Sequence, residues 1–156
     1  RGVLYVGLML TEDGPQVIEF NCRFGDPEAQ AILPRLKTDI VSAMMATTTA
    51  SLHHFDMRWD QRSTVTIVMA SKGYPGNYEK GSVIRNLEVV EQNADCFIFH
   101  AGTARAKNDD LIAVGGRVLA VTALGDDLAS ARKNAYEGVA KIDWDNSFYR
   151  GDIAKI

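Results

Sequence analysis

Hydrophobic and polar positions along the first part of the chain predict a β-hairpin. Residues 3–10 are almost wholly apolar and rich in strand-forming side chains, which predicts a strand buried on both faces. Residues 11–15 form a dense cluster of turn residues with an Asp-Gly step. Residues 16–21 then have the pattern of a second strand, so the two segments should pair as a hairpin.

The residues after this hairpin predict helix. Asp26 has the character of an N-cap, Pro27 suits the first helical position, and Glu28 places an acid in the first turn. The helical pattern that follows is interrupted at Pro34 and resumes over residues 35–50, where apolar side chains recur at helical spacing.

A second pattern begins near residue 61 and predicts a small domain. Strands are expected at 64–70, 83–84, 96–101 and 117–124. One long helix is expected from residue 126 or 127 to about 141, and the remainder to 156 should dock back as an extended tail. The predicted fold is therefore α+β. Residues 1–60 would be a hairpin and helix that end a larger unit, and residues 61–156 a mixed-sheet domain with one main helix.

Charge and composition exclude several classes of protein. The net charge of −3 disfavours a sequence-independent nucleic-acid binder, which needs a cationic excess to displace counterions. No stretch approaches the roughly 20 apolar residues of a membrane helix. Cys22 and Cys96 match no metal or redox spacing, so we interpret them as reduced thiols of a cytoplasmic protein.

One face of the second predicted strand carries polar chemistry. Because side chains alternate along a strand, Glu19 and Asn21 point to one side while Ile18 and Phe20 point to an apolar side. A carboxylate and an amide oxygen can supply part of the shell of a magnesium ion that also binds phosphate. If the strand continues, Arg23 lies on the same face. The alternative is that Glu19 and Asn21 simply face solvent.

A second candidate lies at a glycine pair. The backbone N–H groups of Gly115 and Gly116 would suit a bound phosphate, and Arg117 is the accompanying candidate for anion contact. A tight turn leading into a strand explains the same residues.

The longer string around Glu19 is more specific than either candidate alone. Residues 19–28, EFNCRFGDPE, resemble the end of the ATP-grasp domain in the phosphoribosylamine–glycine ligase family. Further blocks match that family in order: GVLY and GLM within 2–9, SKGYPG at 71–76, HAGT at 100–103, GGRVLAVTALG at 115–125 and YRGDI at 149–153.

The resemblance implies an ATP-dependent ligase of purine biosynthesis. In that family ATP phosphorylates glycine, and the amine of 5-phosphoribosylamine attacks the acyl phosphate. By this resemblance Glu19 and Asn21 would hold Mg²⁺ or Mn²⁺, and Arg23 would stabilise the acyl phosphate. Asp26 or Glu28 would orient an amino group on the substrate side, with Arg117 retained as a further substrate contact.

The resemblance covers only the C-terminal portion of the family. The nucleotide-gripping loop, the lysines and the adenine-binding strand belong to a missing N-terminal part, so this chain alone is expected to be inactive. Residues 3–10 contain no acid, so a second acidic metal ligand must come from elsewhere or be absent. Another ATP-grasp enzyme, biotin carboxylase-like or a purine-pathway ATPase subunit, is one alternative, although the Gly-Asp-Pro-Glu run favours the ligase. A non-catalytic domain is the other.

Overall fold

A computed structural model describes residues 1–155 of the chain, which divides into two compact units, Arg1–Asp60 and Gln61–Ile156. The elements of the first unit are, in order, β1 (Tyr5–Thr11), β2 (Gly14–Asn21), α1 (Glu28–Ile32), a 3-10 turn (Leu33–Arg35), α2 (Ile40–Thr48) and a second 3-10 turn (Leu52–His54).

Strands β1 and β2 form the predicted antiparallel hairpin. Thr11 pairs with Gly14 at the turn, where Gly14 has a φ of +96° that an L side chain rarely adopts. The register shifts by one residue between Gly7 and Leu8, which is a β-bulge. Beyond the bulge, Gly7 lies opposite Glu19 and Tyr5 lies opposite Asn21.

The prediction that residues 3–10 are buried on both faces is wrong in this structure. Most of β1 is exposed, and Ile18 and Phe20 on β2 are each 63% exposed. Within residues 1–155 no further strand pairs with the hairpin, and an apolar sheet face is buried only when another layer covers it.

The helices of the first unit start later than their sequence signals predict. Asp26 is not an N-cap: Pro27 occupies that position, no side chain caps α1, and the Asp26 carboxylate instead accepts a hydrogen bond from Gln30. The second helix begins at Ile40 and not at residue 35, because Asp39 accepts from the first free backbone N–H groups there. These bonds, led by that of the Ser42 hydroxyl, lower the pKa of Asp39.

The elements of the second unit are β3 (Ser63–Ser71), α3 (Leu87–Glu91), β4 (Cys96–His100), β5 (Thr103–Arg105), β6 (Leu111–Ala113), β7 (Arg117–Gly125), α4 (Leu128–Lys141) and β8 (Ser147–Phe148). The strands form an antiparallel sheet in the strand order β4-β7-β3-β8 and a separate ribbon of β5 and β6. The predicted α+β class with one main helix is confirmed, while the sheet predicted as mixed is antiparallel in each pairing.

The core of this unit lies between the sheet and α4. Ile67 on β3 and Val121 on β7 are fully buried, as are Ala131 and Ala135 on α4. Burying a side chain of the size of isoleucine contributes about 1.5–3 kcal/mol. Thr66 and Thr122 face each other across β3 and β7, and their hydroxyl groups form a hydrogen bond with an oxygen–oxygen distance of 2.7 Å.

Helix α4 starts where its sequence signals place it. Asp127 is its N-cap and forms a reciprocal capping box with Ser130. The predicted strand at 83–84 is wrong, since Val83 makes only an isolated bridge to Ile112.

The C-terminal segment docks onto α4. Arg132 donates to the carbonyl oxygens of Gly151 and Ile153, and the Tyr136 hydroxyl donates to that of Arg150. Strand β8 gives the segment one short piece of sheet, and residue 156 lies outside the described residues. No helix within residues 1–155 is long and apolar enough to cross a membrane.

Candidate functional site

A polar cavity of about 140 Å³ lies in the first unit, beside the end of the hairpin. Its lining combines both strands with the residues that connect β2 to α1: Tyr5, Glu19, Asn21, Arg23, Gly25, Asp26, Pro27 and Glu28. The structure thus brings together all of the candidates predicted between residues 19 and 28.

The two strands place one set of side chains on the cavity side. Glu19 and Asn21 are two residues apart on β2, so they share a face. Directly opposed residues of an antiparallel pair also share a face, and Tyr5 therefore joins them from β1. The prediction that residues 3–10 are buried on both faces therefore missed Tyr5 as a residue of the cavity.

Glycine at position 7 leaves room for the Glu19 side chain. A β-carbon on Gly7 would stand 3.2 Å from the Glu19 Cγ, closer than nearly all real contacts of this kind. The stem of Glu19 therefore lies over the bare backbone of its cross-strand neighbour.

A second glycine, Gly25, determines where the Glu28 carboxylate can lie. The Gly25 N–H donates to Glu28 Oε2 at 3.3 Å, and a β-carbon at position 25 would stand 2.6 Å from that oxygen. The absence of a side chain at Gly25 lets the Glu28 carboxylate fold back toward the cavity.

Asp26 is held from the first turn of α1. Gln30 Nε2 donates to Asp26 Oδ1 at 2.9 Å. The two residues are four apart, a spacing at which side chains on a helical turn are neighbours. Gln30 was not among the residues predicted from the sequence.

Arg23 reaches the cavity although β2 ends at Asn21. Its Nη1 donates to the carbonyl oxygen of Phe24 at 2.8 Å, so the guanidinium is tied to the neighbouring backbone. The condition stated from the sequence, that the strand continues to Arg23, does not hold, yet its side chain lies with the others.

The charges of the cavity favour cations. Three carboxylates, from Glu19, Asp26 and Glu28, line the cavity together with one guanidinium, from Arg23. The carboxylate of Glu19 and the side-chain oxygen of Asn21 are the hard ligands that magnesium prefers. Within residues 1–155 no group of three or more His, Cys, Asp and Glu side chains is arranged to hold a metal ion.

Arg117 lies in the second unit, where it begins β7 with an exposed side chain. The Tyr74 ring packs against the turn before Arg117, because a β-carbon at Gly116 would stand 2.2 Å from that ring. Ser71 also donates its backbone N–H to the Gly116 carbonyl oxygen. This favours the interpretation of Gly115 and Gly116 as a tight turn.

Comparison with known proteins gives matches over both units. The model of the phosphoribosylglycinamide synthetase C domain matches residues 64–156, and that of the phosphoribosylglycinamide synthetase ATP-grasp (A) domain matches residues 1–29. Every residue that lines the cavity lies within the second of these matches.

Curated relatives agree with the family models. A phosphoribosylamine–glycine ligase of Caldanaerobacter subterraneus subsp. tengcongensis is 49% identical over 99% of this chain and 36% of its own length. The protein of that name from Escherichia coli strain K12 is 48% identical over 97% of this chain and 35% of its own length. The chain thus spans about a third of the length of the curated relatives it matches.

A solved structure shares the fold. The crystal structure of phosphoribosylamine–glycine ligase from Thermotoga maritima superposes with a TM-score of 0.76 at 33% identity, covering 96% of this chain and 36% of that one. The chain belongs to the phosphoribosylglycinamide synthetase family.

Proposed function

We propose that the complete enzyme joins glycine to 5-phosphoribosylamine at the expense of ATP, an early step of purine biosynthesis. The observation that carries this proposal is the cavity within the ATP-grasp match, where Glu19 and Asn21 share a face with Arg23 beside them. The names of the relatives support the same reaction.

The proposed reaction has two steps. A glycine carboxylate oxygen takes the γ-phosphoryl group of ATP, giving glycyl phosphate and ADP. The amine nitrogen of 5-phosphoribosylamine then attacks the acyl carbon, the bond from that carbon to the phosphate oxygen breaks, and the nitrogen loses a proton. Glycinamide ribonucleotide and phosphate are released.

Glu19 and Asn21 would hold Mg²⁺ or Mn²⁺ through their side-chain oxygens. When bound, the ion would neutralise charge on the nucleotide phosphates. Gly7 supports this role, because its bare backbone leaves Glu19 free to lie along the sheet.

Arg23 is proposed to act on the acyl phosphate. A guanidinium can stabilise charge that develops on phosphoryl oxygens, and it does so best from a fixed position. The bond to the Phe24 carbonyl oxygen keeps the guanidinium close to the cavity before substrate binds.

Asp26 and Glu28 are proposed to bind the amino group of a substrate. An ammonium group attracted by the surplus of carboxylates would find two acceptors whose positions are held by Gln30 and by Gly25. Arg117, in the second unit, stays a separate candidate for contact with a substrate anion.

The remaining part of the enzyme is the proposed partner of this chain. The chain spans about a third of the length of its curated relatives, and by the resemblance the nucleotide-binding loop belongs to the remaining part, so we expect the isolated chain not to turn over ATP. The exposed apolar side chains of the hairpin supply a surface suited to such a partner. We place the enzyme in the cytoplasm, which suits the two free thiols of Cys22 and Cys96.

The full-length protein provides the test. We expect ADP release that depends on both glycine and 5-phosphoribosylamine. Replacing Arg23 by Ala should lower kcat by about 10²–10³-fold with little change in the KM for glycine, since the lost interaction forms mainly in the transition state.

Arg58→Ala is the matched control, because Arg58 is a highly exposed arginine of the same unit. It should retain normal kcat. ADP release that ignores glycine would refute the proposed reaction, and an Arg23→Ala enzyme of normal kcat would remove the role of Arg23.

A further inference from the structure

We propose that Gln30 is a positioning residue, which fixes the Asp26 carboxylate in the orientation that receives the amino group of the substrate. This inference rests on the proposed role of Asp26. It adds to the site a residue that does not line the cavity itself.

The orientation of the Gln30 amide follows from chemistry. An ionised carboxylate can only accept hydrogen bonds, so the 2.9 Å contact requires the amide nitrogen to face Asp26 Oδ1. The amide carbonyl oxygen must then point the other way. That atom, Gln30 Oε1, is buried and has no hydrogen-bond partner among residues 1–155.

This arrangement is unfavourable for stability alone. A buried acceptor without a donor carries a desolvation penalty, and an apolar side chain of the same length would avoid it. The contact with Asp26 is therefore better explained by its effect on the carboxylate than by its contribution to folding.

Two substitutions separate these explanations. Gln30→Met keeps the length of the side chain but removes both the donor and the unpaired acceptor. A purely structural residue would lose stability on this change. For a positioning residue, the melting temperature should hold or rise. We measure kcat/KM separately for glycine and for 5-phosphoribosylamine. The value for the substrate whose amino group Asp26 binds should meanwhile fall by roughly 10- to 100-fold, the usual range when partners that orient ligating groups are removed.

Gln30→Glu adds a readout that depends on protonation. The introduced carboxylate would face Asp26 with no proton to donate at neutral pH. The cavity lining adds the carboxylates of Glu19 and Glu28 and the guanidinium of Arg23. As the pH falls, the introduced carboxylate and that of Asp26 can share one proton, which restores an O–H donor. The activity of this variant relative to wild type should therefore recover toward acidic pH.

The experiment uses the full-length protein and compares wild type with Gln30→Met, Gln30→Glu and the control Gln92→Met, which changes an exposed glutamine of the second unit. Steady-state kinetics, melting temperatures and crystal structures of the variants are measured. In Gln30→Met we expect the KM to rise for the substrate whose amino group Asp26 binds, glycine or 5-phosphoribosylamine, while the KM for ATP is retained. We also expect the Asp26 carboxylate to leave its wild-type position.

An unmoved Asp26 carboxylate in Gln30→Met, or a kcat/KM equal to that of wild type, would overturn the proposal. A wild-type protein without glycine-dependent ADP release would instead refute the proposed function. The crystal structures would still decide whether Gln30 positions Asp26.

Discussion

Gly7 and Glu19 face each other across the hairpin, and a β-carbon at position 7 would stand 3.2 Å from the Glu19 Cγ, so the Glu19 side chain would have to shift by a few tenths of an ångström. Adding a methyl group in Gly7→Ala should push the Glu19 carboxylate off its position without unfolding the hairpin. In the full-length protein we expect the magnesium concentration for half-maximal activity to rise by about tenfold.

Gly151→Ala is the control for this measurement, because a β-carbon at Gly151 meets no atom within 4 Å. A half-activating magnesium concentration in Gly7→Ala equal to that of wild type would contradict a role for Glu19 in holding the ion.

Gly25 gives a second prediction. The β-carbon of Gly25→Ala would collide with the flexible end of Glu28, so the Glu28 carboxylate should turn away while the backbone stays in place. The KM for the substrate whose amino group Glu28 binds, glycine or 5-phosphoribosylamine, should rise toward the KM of Glu28→Gln. The melting temperature should stay almost unchanged. Combining both substitutions should add little, because each removes the same interaction. Fully additive losses would show that Gly25 acts elsewhere.

The core of the second unit should be far more sensitive than the hairpin. Ile67→Ala removes a fully buried side chain and should lower the free energy of unfolding by about 2–5 kcal/mol. Ile18→Ala, a matched change on an exposed strand position, should stay within about 0.5 kcal/mol. Urea denaturation followed by circular dichroism measures both, and equal losses would contradict the exposures seen here.

The N-cap of α4 should make stability depend on pH. Hydrogen bonds from Ser130, first from its hydroxyl and then from its backbone N–H, lower the pKa of Asp127 below its ordinary value near 3.8. Because the folded-state pKa is the lower one, this stabilisation is complete above the unfolded-state value and is lost as the pH falls through the folded-state value. Asp127→Ala should lower the melting temperature at pH 7, and the deficit should disappear under strongly acidic conditions. Asp126→Ala should show a smaller deficit at pH 7, and equal deficits would contradict the capping role.

The two cysteines should differ in reactivity. Burial raises the pKa of the Cys96 thiol, which keeps it protonated and unreactive at neutral pH, whereas Cys22 is exposed. A thiol reagent should therefore label Cys22 in the native protein and reach Cys96 only after denaturation. Mass spectrometry of the labelled peptides identifies the site, and native labelling of Cys96 would contradict the packing of α4 against β4.

Local signals were sufficient for the elements that the sequence predicts well. Helix α4 combines an N-cap at Asp127 with regular apolar spacing, and β3 and β7 are nine-residue segments rich in apolar and β-branched residues, so each is determined by neighbouring residues. The ribbon strands β5 and β6 were missed because each has only three residues, too few to show a period.

The candidate site was only partly predictable for a different reason. Alternation along β2 places Glu19 and Asn21 on one face without any knowledge of the partner strand. Extending the register from the turn would pair Tyr5 with Phe20 and direct it to the other face; the bulge after Gly7 shifts the pairing by one residue and brings Tyr5 opposite Asn21. The contact of Gln30 with Asp26 likewise depends on Pro27, and not Asp26, occupying the N-cap.

The hydroxyl contact between Thr66 and Thr122 joins residues 56 positions apart, so the central strand pair of the second unit requires the closure of a long loop. The hairpin that carries Glu19 and Asn21 closes over a turn of a few residues. Contacts of low sequence separation form in microseconds, whereas non-local strand pairing takes milliseconds to seconds. During folding, the wall of the cavity should therefore form long before the sheet of the second unit is complete.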